Sequence, residues 1–483
     1  PMIMQRRSRR AFLRAAAALG TLPIIAPAFG QQKRKLPARG EYLIRNAHVM
    51  TMESATGDIA GGDLHIRNGE IVAVGKGLKA AKASVIDGRG MIVLPGLIET
   101  HWHMWNTLLR SMSGDERKYG YFPTSAGIGR HFVPKDMYYG TRLAATEALN
   151  AGITTVHDWC HNPRTPEYAE ENLRALRESG IRGRFSYGPA RGIPVTETLN
   201  LADVQRLKGA WDQYSNEGLL TLGIAWRGVQ YAVTSGDGKM EFKPIPEEVY
   251  RKEYDTARSL GIPISAHVNI GPKIDYGHVA ALDKLGLLYK DLQLIHMISS
   301  TPEEVQMVAK SGASVSFSPY TELRIGFGLP NASQYLDAGV PVGLSVDTTT
   351  LSGDANMFAI MKAVQNVDNA VANNEFKLTA RRALEMGTLL GAKSLGLDDR
   401  IGSLAKGKRA DLIMVNTRHP NLGVFTDPAH MIVEAAQPSN VELVMVDGRI
   451  LKERGRLTAV DVKQVVAEAD AANAAVRKRA NWW

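Results

Sequence analysis

Short apolar runs alternate with amphipathic stretches along the middle of this chain. The runs fall at 91–100, 152–158, 181–189, 219–226, 263–268, 292–297, 313–318 and 341–347. Each has the length of a buried strand, and the stretches between them carry helix signals. Pro134–Asn150 presents an apolar face in Leu143, Ala144, Ala148 and Leu149. Thr301, Pro302, Glu303 and Glu304 read as an N-cap, a first-turn proline and an acidic first turn. Eight strand–helix units over roughly 300 residues predict an α/β fold, a (β/α)8 TIM barrel spanning 93–399. In that architecture chemistry sits at the C-terminal ends of the strands.

Both flanks of the barrel read as short strands instead. They lie at 41–47, 63–67, 70–74 and 84–87, and again across 400–452. Residues 462–479 are Ala- and Val-rich with helical spacing, which predicts a terminal helix within 461–483. Residues 1–30 differ from the rest. Ser8-Arg9-Arg10-Ala11-Phe12-Leu13-Arg14 resembles a twin-arginine export motif, and an apolar stretch and Ala26-Pro-Ala28 follow it. The expectation is a removed signal segment and a periplasmic or secreted protein.

Composition changes little beyond this. With 483 residues, 44% of them hydrophobic, the chain can bury a large core. The net charge of +9 falls to +4 without the five arginines of residues 1–30, and no basic helix suggests nucleic acid. Cys160 stands alone, so no intrachain disulfide can form, and it reads as packing rather than nucleophile. The expected partners are a small-molecule substrate and further copies of the chain in a homo-oligomer. No nucleic acid is expected, and no membrane once the signal is removed.

The candidate chemistry lies at strand ends. His101 and His103 close the first run, and side chains two apart on a strand point the same way. Neutral imidazoles placed together are half of a site for zinc or a similar ion. His267 ends the fifth run, His296 the sixth and Asp347 the eighth. Each alone reads as an ordinary buried polar residue; five at one end of separate strands read as a site.

Several motifs in order give the resemblance. Pro95-Gly-Leu-Ile-Glu-Thr-His-Trp-His103 with Thr107-Leu-Leu-Arg110, Ala151-Gly-Ile-Thr-Thr155, Ile401-Gly-Ser-Leu-Ala-Lys-Gly-Lys-Arg-Ala-Asp-Leu-Ile413 and Val446-Asp-Gly-Arg449 are similar to motifs of the amidohydrolase superfamily. Within it the chain looks most like the branch of atrazine chlorohydrolase, S-adenosylhomocysteine deaminase and guanine deaminase. The resemblance implies that 31–92 and 400–460 form one small β-sandwich. It implies that His101, His103, His267 and Asp347 hold one divalent metal ion, zinc first, with iron, cobalt or manganese as alternatives. His296 would then bond the activated water or the substrate, and Asp347 would take the water's proton. Two-metal members need a lysine on strand three or four. The runs at 181–189 and 219–226 have none, Lys208 falling on a helix and Lys239 in a loop, so a single ion is expected.

Two departures bear on function. Related deaminases carry Glu three residues after the strand-five histidine, where it shuttles protons; here Ile270 follows His267-Val-Asn. In Ser318-Pro-Tyr-Thr-Glu-Leu323, Glu322 stands where the branch has Asn. Glu322 is either a relocated proton carrier, catalytic with Asp347 and His296, or a solvated loop acid. Residues 104–133 read as a loop over the barrel mouth, and Trp105, Tyr119, Tyr121 and Phe122 are candidate substrate contacts or stabilisers of that loop; His131 lies in it too. Trp102, between the two ligands, points into packing. Arg227 and Arg324 could meet a carboxylate or lie on the surface. The main expectation is a mononuclear hydrolase of an amide, urea or carbamate C–N bond. Deamination or dehalogenation of a heterocycle is the alternative, and a non-catalytic binding protein the alternative of another class.

Overall fold

The structure, a computed structural model, describes residues 35–234, 240–271 and 275–482. The twin-arginine segment and Lys239 lie outside the described residues. Eight parallel strands close into a barrel in chain order: Leu97–Trp102, Ile153–Cys160, Arg182–Tyr187, Leu220–Trp226, Ile264–Val268, Leu292–His296, Ser314–Phe317 and Val342–Leu344. They are buried along almost their whole length, as strands covered on both faces must be.

The first apolar run is two strands rather than one. Met91–Pro95 pairs antiparallel with Leu412–Asn416, outside the barrel, and Leu97–Trp102 enters the barrel. The chain turns between them at Gly96, whose amide donates to the carbonyl of Asp411 at 3.0 Å. A Cβ there would sit 2.0 Å from Oγ1 of Thr154, so only glycine fits. The boundary between sheet and barrel is therefore Gly96, not residue 92.

Both chain ends build one nine-stranded sheet. Its order runs from Arg456–Leu457 through Arg449–Glu453, Val441–Val446, Leu412–Asn416, Met91–Pro95, Glu41–Met50 and Asp58–Arg67 to Glu70–Gly75, with Ser84–Asp87 also on Glu41–Met50. Ile44, Leu64, Ile71, Val93, Leu412 and Met445 give it an apolar core of its own. At the base of the barrel, buried Arg182 reaches Asp411 at 2.5 Å and Asp447 at 3.2 Å. Asp447 also meets Arg39 and Arg409.

Residues 104–133 are not an open loop. They fold as 3-10 turns at Met104–Leu109 and Arg117–Tyr119 and a helix at Tyr121–Gly129. All six residues of Met104–Leu109, Trp105 among them, are buried. The terminal helix Val462–Ala480 packs over this segment, and Asn473 Nδ2 donates to the carbonyl of Leu108 at 2.6 Å. After strand four a hairpin of Gln230–Thr234 and Met240–Pro244, unforeseen in the sequence pattern, leans toward the barrel mouth. Among the described residues no helix is long and apolar enough to cross a membrane.

Candidate active site

Strands one and eight zip together where the site lies. The amide of His103 donates to the carbonyl of Asp347 at 2.7 Å, and the amide of Asp347 to the carbonyl of His101 at 2.8 Å. Glu99 secures this from beneath. Fully buried, its Oε1 accepts the amides of His101 at 2.9 Å and Val346 at 3.1 Å. Burial pushes the Glu99 carboxyl up to about 8. Asp347 has φ of +59° and His296 of +78°, left-handed conformations that side chains other than glycine rarely adopt. Such strain persists where the surrounding fold imposes it, often at functional sites.

The side chains then converge. The ligating atoms of His101, His103, His267 and Asp347 all lie within 4.8 Å of one another. His101 Nε2 is 3.1 Å from Asp347 Oδ1, His103 Nε2 is 3.3 Å from the same oxygen, and His267 Nε2 is 3.2 Å from His101 Nε2. His103 Nδ1–H donates to the carbonyl of Trp159 at 2.9 Å, which leaves the Nε2 lone pair facing the cluster. Burial drives His101 down to about 3 and His267 well below the ordinary range, so both present uncharged nitrogens. Burial would discharge Asp347, but the imidazoles of His101 and His103 against its carboxylate outweigh it and hold it ionised. Three neutral imidazoles and one carboxylate fit a single divalent cation. Strands three and four carry no lysine, and Lys208 lies on the helix Leu201–Gly209.

His296 lies beside this group, its ring stacked 5.4 Å from that of His267. Its Nδ1–H donates to Glu322 Oε1 at 3.0 Å. Glu322 is neither a solvated acid nor a group in the cavity wall. It sits fully buried on the helix Pro319–Ile325, behind His296, and also accepts the amide of Ser318 at 2.8 Å. Burial lowers the pKa of His296, but the bond to Glu322 and the charge of Asp347 outweigh it, so His296 titrates above an ordinary histidine.

A cavity of about 40 Å³ opens above the cluster. Tyr121, Phe122, Phe242, Ile270 and Phe327 supply aromatic and apolar walls, with His161 and Arg191 among the polar lining. Of the candidate contacts, Tyr121 and Phe122 line it. Trp105 and Tyr119 do not. Trp105 is fully buried against Phe132, and the Tyr119 ring packs on Trp482. His131 and Trp102 also stay off the lining, Trp102 fully buried. Arg227 is buried, not superficial; it pins a loop through Glu253 at 3.0 Å and the carbonyls of Pro194 and Glu197. Arg324 is exposed and reaches the carbonyl of Ser113. Cys160 is buried, and burial raises its thiol well above the usual range, which leaves it unreactive.

His161, Arg191, Tyr231 and Phe242 line the cavity without having been singled out in the sequence. For His161 the signal existed: strand two runs to Cys160, two residues past the end of the apolar run, so His161 obeys the same strand-end rule as the other histidines.

A model of the amidohydrolase family matches residues 92–451, three quarters of the chain. This chain belongs to the amidohydrolase family. It is a hydrolase of carbon–nitrogen bonds outside peptides. Among its relatives is the 5'-deoxyadenosine deaminase of Methanosarcina mazei, 28% identical over 466 residues, covering 91% of this chain and 99% of the relative. Another is the 5-methylthioadenosine/S-adenosylhomocysteine deaminase of Moorella thermoacetica, 27% identical over 449 residues, covering 89% and 98%. Among solved structures, zinc-bound atrazine chlorohydrolase from Arthrobacter aurescens TC1 superposes with a TM-score of 0.77 at 26% identity, covering 89% of this chain and all of that one. A zinc-bound adenosine deaminase from Xanthomonas campestris shares the fold, with a TM-score of 0.78 at 24% identity over 92% of this chain and all of that one. These relatives are named deaminases and a chlorohydrolase, not amide hydrolases.

Proposed function

We propose that this chain is a single-metal aminohydrolase that replaces the amino group of a small, flat nitrogen heterocycle with hydroxyl, consuming water and releasing ammonia. The observation that carries this reading is the metal-ligand set opening into an aromatic-walled cavity, in a chain whose relatives over nearly full length are named deaminases. His101, His103, His267 and Asp347 hold the ion, and zinc is the metal found in the solved relatives. When bound, the ion supplies the Lewis acidity that brings loss of a proton from water toward neutral pH.

The residues do the rest. Asp347 takes the proton of the attacking water and passes it on to the departing amine. His296, its Nδ1–H on Glu322, presents Nε2 to the cavity, where it meets charge developing on the ring. Glu322 holds His296 in that orientation from behind. This pair does the work of the acid usual after strand five, where Ile270 lines the cavity. The arginine pair Arg9-Arg10 supports export as part of the same reading.

Hydrolysis of an amide, urea or carbamate is the second reading. Ile270 favours it, because Asp347 alone can serve a leaving amine that needs no proton on a ring. The test assays the metal-loaded protein on aminotriazines, aminopyrimidines and adenosine-type nucleosides against anilides and phenylureas. Ammonia release from the heterocycles is the expected result. Turnover confined to the anilides or ureas would overturn the reading.

A further inference from the structure

His161 follows strand two and is almost fully buried, yet it lines the cavity. Its ring stacks on that of His103, centroids 3.9 Å apart and planes 22° apart, but it stands outside the group of candidate metal ligands. Trp105 Nε1–H donates to its Nδ1 at 2.9 Å. An indole nitrogen can only donate, so Nδ1 carries a lone pair and no proton. The hydrogen of His161 is therefore on Nε2, and this tautomer is set by geometry alone. The indole is packed in place: Phe132 meets its ring edge-on at 5.1 Å, and a Cβ on Gly129 would sit 3.1 Å from the indole Cη2. Among the described residues no group bonds His161 Nε2, which is left to the cavity.

Donors outnumber acceptors in that cavity. Arg191 lines it with no carboxylate partner among the described residues. Asp347 is the sole carboxylate among the described lining residues, and it belongs to the candidate ligands. A buried donor left without a partner is costly, so a ligand that fills this space must bring an acceptor.

We propose that His161 is a substrate-binding residue whose Nε2–H, fixed by Trp105, receives a hydrogen-bond acceptor on a flat heteroaromatic substrate. The proposal rests on the heterocycle reading of the site and names the substrate feature that this wall selects. Trp105 is a positioning residue that acts through His161.

The test is binding, not turnover, so its outcome is independent of whether the protein deaminates. Calorimetry on the metal-loaded protein compares 6-hydroxyquinoxaline with 2-naphthol, which have the same flat shape and phenolic hydroxyl but differ in ring acceptors. The wild type should prefer the quinoxaline at least about tenfold. His161→Phe should erase that preference with metal content unchanged, and His161→Gln, which keeps a donor near the same place, should restore most of it. Trp105→Phe, which frees the tautomer, should narrow it. Should His161→Phe shed its metal, the Trp105→Phe and His161→Gln arms carry the comparison. Equal binding of the two probes, binding of neither, or a preference that survives both His161→Phe and Trp105→Phe would overturn the proposal.

Discussion

Nδ1 of His296 and Oε1 of Glu322 lie 3.0 Å apart, both side chains buried, one at the end of strand six and the other on the helix after strand seven. The carboxylate touches the imidazole and not the cavity, so its effect on chemistry passes through His296. Glu322→Gln should lower turnover by roughly 10²-fold, within the usual worth of a general acid, while metal content stays at the wild-type level. His296→Ala should cost about 10²–10³-fold, and the double variant little more than the single His296 change. Steady-state kinetics with metal analysis on the three variants checks this; additive losses would place Glu322 in a separate role.

Glu99 joins strands one, two and eight under the candidate metal ligands through the amides of His101, His157 and Val346. Glu99→Ala removes the acceptor from three buried amides, at about 1–3 kcal/mol for each left unsatisfied. It should lower the denaturation midpoint and loosen the metal together. Glu99→Gln keeps a carbonyl oxygen at the same place and should recover most of both. Equal damage from Gln and Ala would show that charge, not hydrogen bonding, is what Glu99 contributes.

Much of this site is legible in the sequence because strand ends are. His101, His103, His267, His296 and Asp347 each close an apolar run, and the closed barrel brings all five together. What periodicity misreads is whatever departs from one strand per run. Gly96 splits the first run because it passes too close to Thr154 for any side chain, a long-range contact without a local signature. Trp105 looks like a loop aromatic, yet it lies in a 3-10 turn buried at every position, against Phe132 and His161. Phe242 reaches the cavity only because Met240–Pro244 pairs with Gln230–Thr234, and residues 227–245 read as connection rather than hairpin.

The junction of barrel and sheet gives a pH test. Burial would raise Asp447, but Arg409, Arg182 and Arg39 around it outweigh this and hold it at about 2, against an ordinary value of 3.8. Its folded-state pKa is depressed, so its contribution is complete above about pH 4 and is lost as pH falls toward 2. The gap corresponds to about 2 kcal/mol. Asp447→Asn should destabilise the protein at neutral pH and flatten the acid limb of the stability curve between pH 4 and 2. Denaturation midpoints across that range read this out; an acid limb unchanged by Asp447→Asn would assign it to other carboxylates.

Gly96→Ala should be poorly tolerated although it adds a single methyl. The new Cβ meets Thr154 at 2.0 Å, and relief requires a backbone shift where the end sheet joins strand one. Overpacking of this kind costs roughly 1–3 kcal/mol. Thr154→Ala in the same chain should recover part of the lost stability, which distinguishes the clash from a general intolerance at this position.

Metal content per chain tests the central claim most directly. Elemental analysis of the purified wild type should find one divalent ion per chain, and His101→Ala, His103→Ala and His267→Ala should each lose it while His296→Ala keeps it. A wild type without metal under metal-replete conditions, or ligand variants that retain a full ion, would contradict the account.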